Sequence, residues 1–244
     1  MRMYRGLLFD LDGVLVDTAK YHYLAWREIA GRLGIVFTPK DNERLKGVSR
    51  MRSLEILLEI GGRKLDREAK EQYCEEKNRI YLNHIRRLER NALLPGVREF
   101  LRDARKKGYL LAVGSASRNA SLIFDRLELN ACFDAVIDGN AVSKAKPDPE
   151  VFRKGAQALG LKPRECLVFE DAPAGIEAAH AGGMRAVGIG SREALPEADG
   201  ILAGFAGVKI EEVEVMLTGF GGAAGNPVGS AVGFPSGEGS PVGQ

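Results

Sequence analysis

The chain is 244 residues long, 45% hydrophobic and 28% charged, with a formal net charge of +2 at pH 7. That length suits one large domain or a core with a smaller insert, and the balanced, scattered charge excludes a polybasic nucleic-acid binder or an acidic tail. Cys74, Cys132 and Cys166 lie far apart without metal-ligand spacing, which argues against a disulfide scaffold or a zinc site and fits a reducing cytoplasm.

At the N-terminus a short apolar run ends at Asp10. It lacks the length and cleavage site of a signal peptide, and no run in the chain is long enough to span a bilayer. Leu7, Leu8 and Phe9 predict a short buried strand. Over residues 18–88 the text becomes charged and helical in period. Tyr21, Leu24, Ala25, Ile29 and Leu33 share one helix face, and Gly34 stops that helix. Leu54, Leu57, Leu58 and the stretch 69–88 predict further helices, with no strand-like alternation.

After Leu94-Pro95-Gly96 helices and strands alternate. Helix 97–107 leads through Gly108 to strand 109–113, and helix 119–127 leads to an apolar segment at 133–137. Helix 149–159 ends at Gly160 before strand 166–169, and helix 174–181 ends at Gly182-Gly183 before strand 186–189. Repeats of this kind with nearly continuous apolar strands predict an α/β fold, a doubly wound parallel sheet (Rossmann-like) covered on both faces. The expected organisation is a core from residues 1–17 and 90–217 with an all-helical insert at 18–89. From residue 218 the composition falls to Gly, Pro, Ser and Ala, which predicts a disordered tail over 218–244, because so few apolar groups cannot offset the entropy of ordering.

Ligands of open α/β sheets bind outside the carboxyl ends of the strands, and three such ends here carry chemistry. The first reads Phe9-Asp10-Leu11-Asp12-Gly13. Residues two apart on an extended segment face the same way, so Asp10 and Asp12 enter one site, and Gly13 lets the chain turn away. Two carboxylates there repel, and a hard cation with oxygen ligands is the simplest compensation, although a bare Asp-x-Asp is also a common turn. The second end, Gly114-Ser115-Ala116-Ser117-Arg118-Asn119, offers hydroxyls and backbone N–H groups at a helix start, an anion site; Ser and Asn are equally ordinary helix caps. The third, Phe169-Glu170-Asp171, adds two acids able to complete a metal's oxygen shell. Lys146 stands in a proline-flanked loop entering a helix, either to neutralise phosphate charge or merely as a solvated surface lysine.

Together and in this order, Asp10-Leu11-Asp12-Gly13, Ser115, Lys146 and Glu170-Asp171 resemble the four motifs of the haloacid-dehalogenase-like superfamily, over about residues 3–217. The superfamily fold is a doubly wound core with a cap inserted after the first motif, and the helical insert looks like that cap. His22, Trp26, Leu45-Lys46-Gly47-Val48-Ser49-Arg50, Ser53 and Lys77-Asn78 look like the cap of the β-phosphoglucomutase family. The loop 115–119 is similar to that family's core loop, with Arg118 where lysine is usual.

The resemblance implies interconversion of β-D-glucose 1-phosphate and glucose 6-phosphate. The route would pass through an aspartyl-phosphate on Asp10 and β-glucose 1,6-bisphosphate, with Asp12 as general acid/base. One Mg²⁺ per chain would be held by Asp10, the Asp12 carbonyl, Glu170 and Asp171. Ser115, the Ala116 backbone and Lys146 would hold the transferring phosphate. Arg50, Ser117, Arg118 and Asn119 would hold the second phosphate. His22, Lys46, Gly47, Ser53 and Lys77 would line the sugar site, with Val48, Ser49 and Trp26 beside them; His22 also reads as a structural hydrogen-bonding residue and Trp26 as core. Thr18 and residues 88–93 are the expected hinges. The expected partners are small sugar phosphates, with no nucleic acid or membrane, and the expected state is a monomer. A sugar-phosphate phosphatase with the same core is the alternative. A receiver-like switch phosphorylated on Asp10 is a more distant one, disfavoured by the long insert and Lys146.

Overall fold

The structure, a computed structural model, describes residues 3–45 and 48–219. Among these residues six strands are formed: β1 Gly6–Phe9, β2 Leu110–Gly114, β3 Ala135–Ile137, β4 Cys166–Glu170, β5 Arg185–Ile189 and β6 Gly200–Leu202. They make one parallel sheet in the order β3-β2-β1-β4-β5-β6. The order reverses at β1: the chain builds outward to β3, returns to the other side of β1, and builds outward again. Phe9 is in register with Val113 on one side and Phe169 on the other. The carboxyl ends of β1, β2 and β4 therefore sit side by side at the switch point, where such folds bind ligands.

Between β1 and Leu93 lie four α-helices and, among the described residues, no strand: α1 Ala19–Arg32, α2 Pro39–Glu43, α3 Arg50–Ile60 and α4 Arg67–Ile85. Their starts are written locally. A reciprocal Thr38–Asp41 capping box opens α2, the Ser49 hydroxyl accepts from the Arg52 N–H at α3, and the Asp66 carboxylate accepts from the Ala69 N–H at α4. Ala25, Trp26, Ile29 and Ala30 of α1 are buried, as are Ile80, Tyr81 and Ile85 of α4, and the two helices pack together. The chain enters and leaves this layer by neighbouring segments. Val16 bridges Leu93 in antiparallel fashion, and the Leu94 N–H donates to the Leu15 carbonyl at 3.0 Å.

The remaining helices, α5 Val97–Lys106, α6 Ala120–Leu127, α7 Glu150–Ala158, α8 Pro173–Ala181 and α9 Ile210–Gly219, cover the sheet. Period-two alternation sorts the β1 side chains. Leu8 joins Phe152, Val168 and Ile176 on the α7–α8 face, while Leu7 and Phe9 join Phe100, Phe169 and Phe205 on the other. Phe9 stacks on Phe169 with ring centroids 4.8 Å apart, and Phe100, Phe133 and Phe205 surround it.

Three elements go beyond the sequence reading: α2, β6 and α9. Five-residue α2 and three-residue β6 are too short for periodicity to reveal. Helix α9 buries Ile210, Val213 and Leu217 at helical spacing and runs through Thr218 and Gly219, which composition had assigned to the tail. The rest of that predicted disordered tail, 220–244, lies outside the described residues.

Phe9 is fully buried one residue before Asp10. Phe9→Ala is expected to lower the free energy of urea unfolding by about 3–5 kcal/mol, the usual range for emptying an aromatic core position; a loss under ~1 kcal/mol would show that the aromatic cluster does not anchor the β1 end.

Candidate active site

Leu11 is buried in the core, while Asp10 and Asp12 turn toward a shared cavity. Gly13 has φ +88°, and a Cβ on it would stand 2.1 Å from Asp171 Oδ2. Only glycine lets the loop after β1 rest against the loop after β4. Gly175 plays the matching part in α8, where a Cβ would lie 1.8 Å from Glu170 Oε1. Glu170 is further fixed by the Ala172 N–H, which donates to its Oε2 at 2.9 Å.

Lys146 is the joint between these ends. Its Nζ donates to Asp10 Oδ1 at 2.5 Å and to Glu170 Oε1 at 2.6 Å, with all three residues buried. Burial pulls the lysine pKa down, but Asp10 and Glu170 outweigh it and hold it above the ordinary lysine value. Burial pushes Glu170 up against the pull of Lys146. Asp12 is raised to about 7, first by burial and then by the neighbouring charge of Asp10, and its Oδ1 has no hydrogen-bond partner. A carboxyl poised there can both give and take a proton at neutral pH.

The loop after β2 is shaped by its own hydroxyls. Ser115 Oγ accepts from the Ser117 N–H at 3.0 Å, and Ser117 Oγ from the Asn119 N–H at 3.2 Å. The loop carrying Lys146 is tethered by Glu150. One Glu150 carboxylate oxygen accepts from the Ser143 N–H, the Ser143 hydroxyl and the Lys144 N–H, and the other from Lys154 Nζ. The Lys154 and Ser143 bonds lead in holding Glu150 down at about 2.

The helical layer faces these loops with basic groups. Lys77 Nζ lies 2.8 Å from His22 Nδ1; a charged Lys77 donates to that nitrogen, which puts the ring proton on Nε2. The ammonium also sits over the rings of Trp26 and Tyr81, at 5.2 and 4.8 Å. Burial, then Arg50, lowers Lys77 to about 7, and burial with Lys77 and Arg50 keeps His22 well below its usual value. Arg50 is itself lowered, by burial and then by Arg118, so two arginines share one electropositive region of the wall.

Both sides line one cavity of ≈680 Å³. Within the described residues, every predicted site residue lines it except Ser115, which is buried and whose hydroxyl accepts from the Ser117 N–H. Lys46 and Gly47 fall outside the described residues. The wall also contains Asn78, noted above beside Lys77 without a role, and Asn42, Met51, Cys74 and Tyr81, which motif reading did not select. Cys74 and Tyr81 were within reach, since they stand three before and four after Lys77 and so share its helix face.

Asp10, Asp12, Glu170 and Asp171 all line the cavity, yet among the described residues no three His, Cys, Asp or Glu groups gather into a metal cluster. Lys146 stands between Asp10 and Glu170. The donors nevertheless fit a hard divalent cation by their chemistry: they are all oxygen, two buried carboxylates share a single lysine, and Asp12 has an unpartnered buried oxygen. No described helix is long and apolar enough to cross a membrane.

Comparison with known proteins agrees with this geometry. Residues 4–183 match the family model described as haloacid dehalogenase-like hydrolase. The chain is 41% identical over 197 residues to the β-phosphoglucomutase of Bacillus subtilis (strain 168), covering 80% of this chain and 87% of that one. It is 34% identical to the fructose-1-phosphate phosphatase YqaB of Escherichia coli (strain K12), covering 76% and 96%. Among solved structures, a β-phosphoglucomutase from Clostridium difficile superposes with a TM-score of 0.84 at 37% identity, over 89% of this chain and 99% of that one.

Lys77 gives the site a pH signature. Its pKa drops from 10.5 to about 7 on folding, so between those values the unfolded chain holds more protons and stability rises with pH. Lys77→Met is expected to be more stable than the parent at pH 7 and to converge with it toward pH 10, read from urea unfolding across that range. A difference that does not change with pH would show that burial does not depress Lys77.

Proposed function

The chain belongs to the haloacid dehalogenase-like hydrolase family, and from that premise we propose that it is a β-phosphoglucomutase. It interconverts β-D-glucose 1-phosphate and glucose 6-phosphate through an aspartyl-phosphate on Asp10 and β-glucose 1,6-bisphosphate. The observation that carries the reading is the pair of cationic elements in one cavity, Lys146 beside Asp10 and Arg50 near Arg118. A hydrolase of monophosphates needs one anion site, whereas a bisphosphate needs two.

In the forward direction the phosphoryl group on Asp10 passes to the sugar 6-hydroxyl, whose proton Asp12 takes. The bisphosphate turns over, Asp10 attacks the 1-phosphoryl group, the bond from phosphorus to O1 breaks, and Asp12 returns the proton to O1. An Asp12 pKa of about 7 suits both halves of that exchange. Lys146, Ser115 and the Ala116 N–H hold the transferring group. Arg50, Ser117, Arg118 and Asn119 grip the other phosphate, where arginine can bind bidentately. His22, Ser53, Lys77, Trp26, Val48 and Ser49 enclose the sugar. Asp10, the Asp12 carbonyl, Glu170 and Asp171 would hold Mg²⁺, which when bound would supply positive charge to stabilise phosphoryl transfer. Residues 18–89 act as a cap on a core of 1–17 and 90–217, hinged at Thr18 and 88–93. Its closure keeps water from the phosphoenzyme while the intermediate reorients.

The deciding assay supplies β-glucose 1-phosphate, Mg²⁺ and a trace of the 1,6-bisphosphate, and follows glucose 6-phosphate and free phosphate together. Glucose 6-phosphate in large excess is expected; free phosphate as the main product would make the protein a sugar-phosphate phosphatase, as relatives such as YqaB are named. Asp10→Asn is expected to abolish the acid-stable, base-labile phosphoenzyme, and a retained aspartyl-phosphate would remove Asp10 from the role. Arg50→Ala is expected to raise the ratio of phosphate release to isomerisation roughly tenfold, on the scale of one lost charge-assisted hydrogen bond.

A further inference from the structure

Asn78 follows Lys77 on α4, and no step above uses it. Its Oδ1 accepts two hydrogen bonds, from Arg50 Nη2 at 2.8 Å and from Asn119 Nδ2 at 2.9 Å. Arg50 can only donate, so the Asn78 atom facing it is the oxygen, and the Asn119 atom facing that oxygen is its NH2. Both amide orientations are thereby fixed by one arginine. Arg50 and Asn78 belong to the helical layer, while Asn119 belongs to the loop after β2. One oxygen therefore joins the two sides of the cavity and holds Arg50 at the same time.

The local structure of Asn119 supports a dedicated contact. It occupies the N-cap of α6, a position where asparagine usually accepts from an N–H of the first turn. Here the side chain makes no capping bond and turns to Asn78 instead. The helix forgoes its cap, and the cross-cavity bond is what the side chain gains.

We propose that Asn78 is a positioning residue that couples closure of the helical layer to the placement of Arg50. When the layer lies against the sheet, Asn78 links Asn119 to the guanidinium, which is then aimed before the second phosphate arrives. When the layer swings away, the Asn78–Asn119 bond is lost and Arg50 loses its link to the sheet side. Such preorganisation raises affinity by lowering the ordering cost of binding. The inference rests on the reading of Arg50 as a ligand of the second phosphate.

The test uses the full chain with Mg²⁺ and three readouts: the Kd for β-glucose 1,6-bisphosphate, free phosphate released per isomerisation, and the radius of gyration by solution scattering. Asn78→Ala is expected to weaken bisphosphate binding about tenfold, to raise phosphate release severalfold, and to expand the ligand-free protein. Asn78→Asp keeps an acceptor for both donors but adds a charge that competes for Arg50, so compactness is expected to persist while affinity still falls. In a cycle with Asn119→Ala, read as the ligand-free radius of gyration so that the phosphate contact of Asn119 does not enter, the double variant is expected to be no more expanded than Asn78→Ala alone. Wild-type affinity and compactness in Asn78→Ala, or ligand-free expansions that add in the double variant, would overturn the proposal. If the parent protein releases phosphate without isomerising, the mutase reading fails, yet binding and scattering still decide the role of Asn78.

Discussion

Everything at this site depends on the buried bond of Lys146 to both Asp10 and Glu170. An isolated charge in such surroundings is prohibitive, and a buried pair holds only with good geometry on both sides. The fold meets that demand with three separate devices. Adjacent pairing of β1 with β4 brings Asp10 and Glu170 together. Glycines at 13 and 175 let neighbouring backbone close in on the acids. Glu150 ties down the loop that delivers the lysine. With two acids to one lysine, the arrangement leaves negative charge that suits a divalent cation, while burial and then the charge of Asp10 keep Asp12 reluctant to ionise.

The cavity wall is also where the chain departs from its most stable form. Lys77 is buried enough to fall to about 7, Asp12 is raised to about 7 with an unpartnered oxygen, and Asn119 leaves α6 uncapped. Each departure costs stability, and all of them face one cavity. Buried groups with displaced pKa values cluster at functional sites because a low dielectric both displaces them and strengthens their action on a ligand. Away from the cavity, Phe9, Phe100, Phe169 and Phe205 pack with the regularity expected of a core that serves stability alone.

The two halves of the site differ in kind. The loops of the strand-end half spring from a covered parallel sheet and are pinned by their own hydrogen bonds. The helical half reaches the sheet through two adjacent segments joined at Val16 and Leu93.

The residues alone determined much of this. Buried apolar runs and glycine stops marked the strands and most helices, and side chains two apart marked Asp10 and Asp12 as a pair, because both signals are local in the chain. Motif order then placed Lys146, Glu170 and Asp171 with them. Only the tertiary structure decided the pairings between distant segments: His22 with Lys77, Arg50 with Asn78, and Asn78 with Asn119. It also decided that Lys146 bridges two acids rather than facing solvent, and that 218–219 continue a helix. Short elements such as β6 carry too few residues to show a period, and a contact between segments is set by how helices pack on a sheet, which no local pattern records.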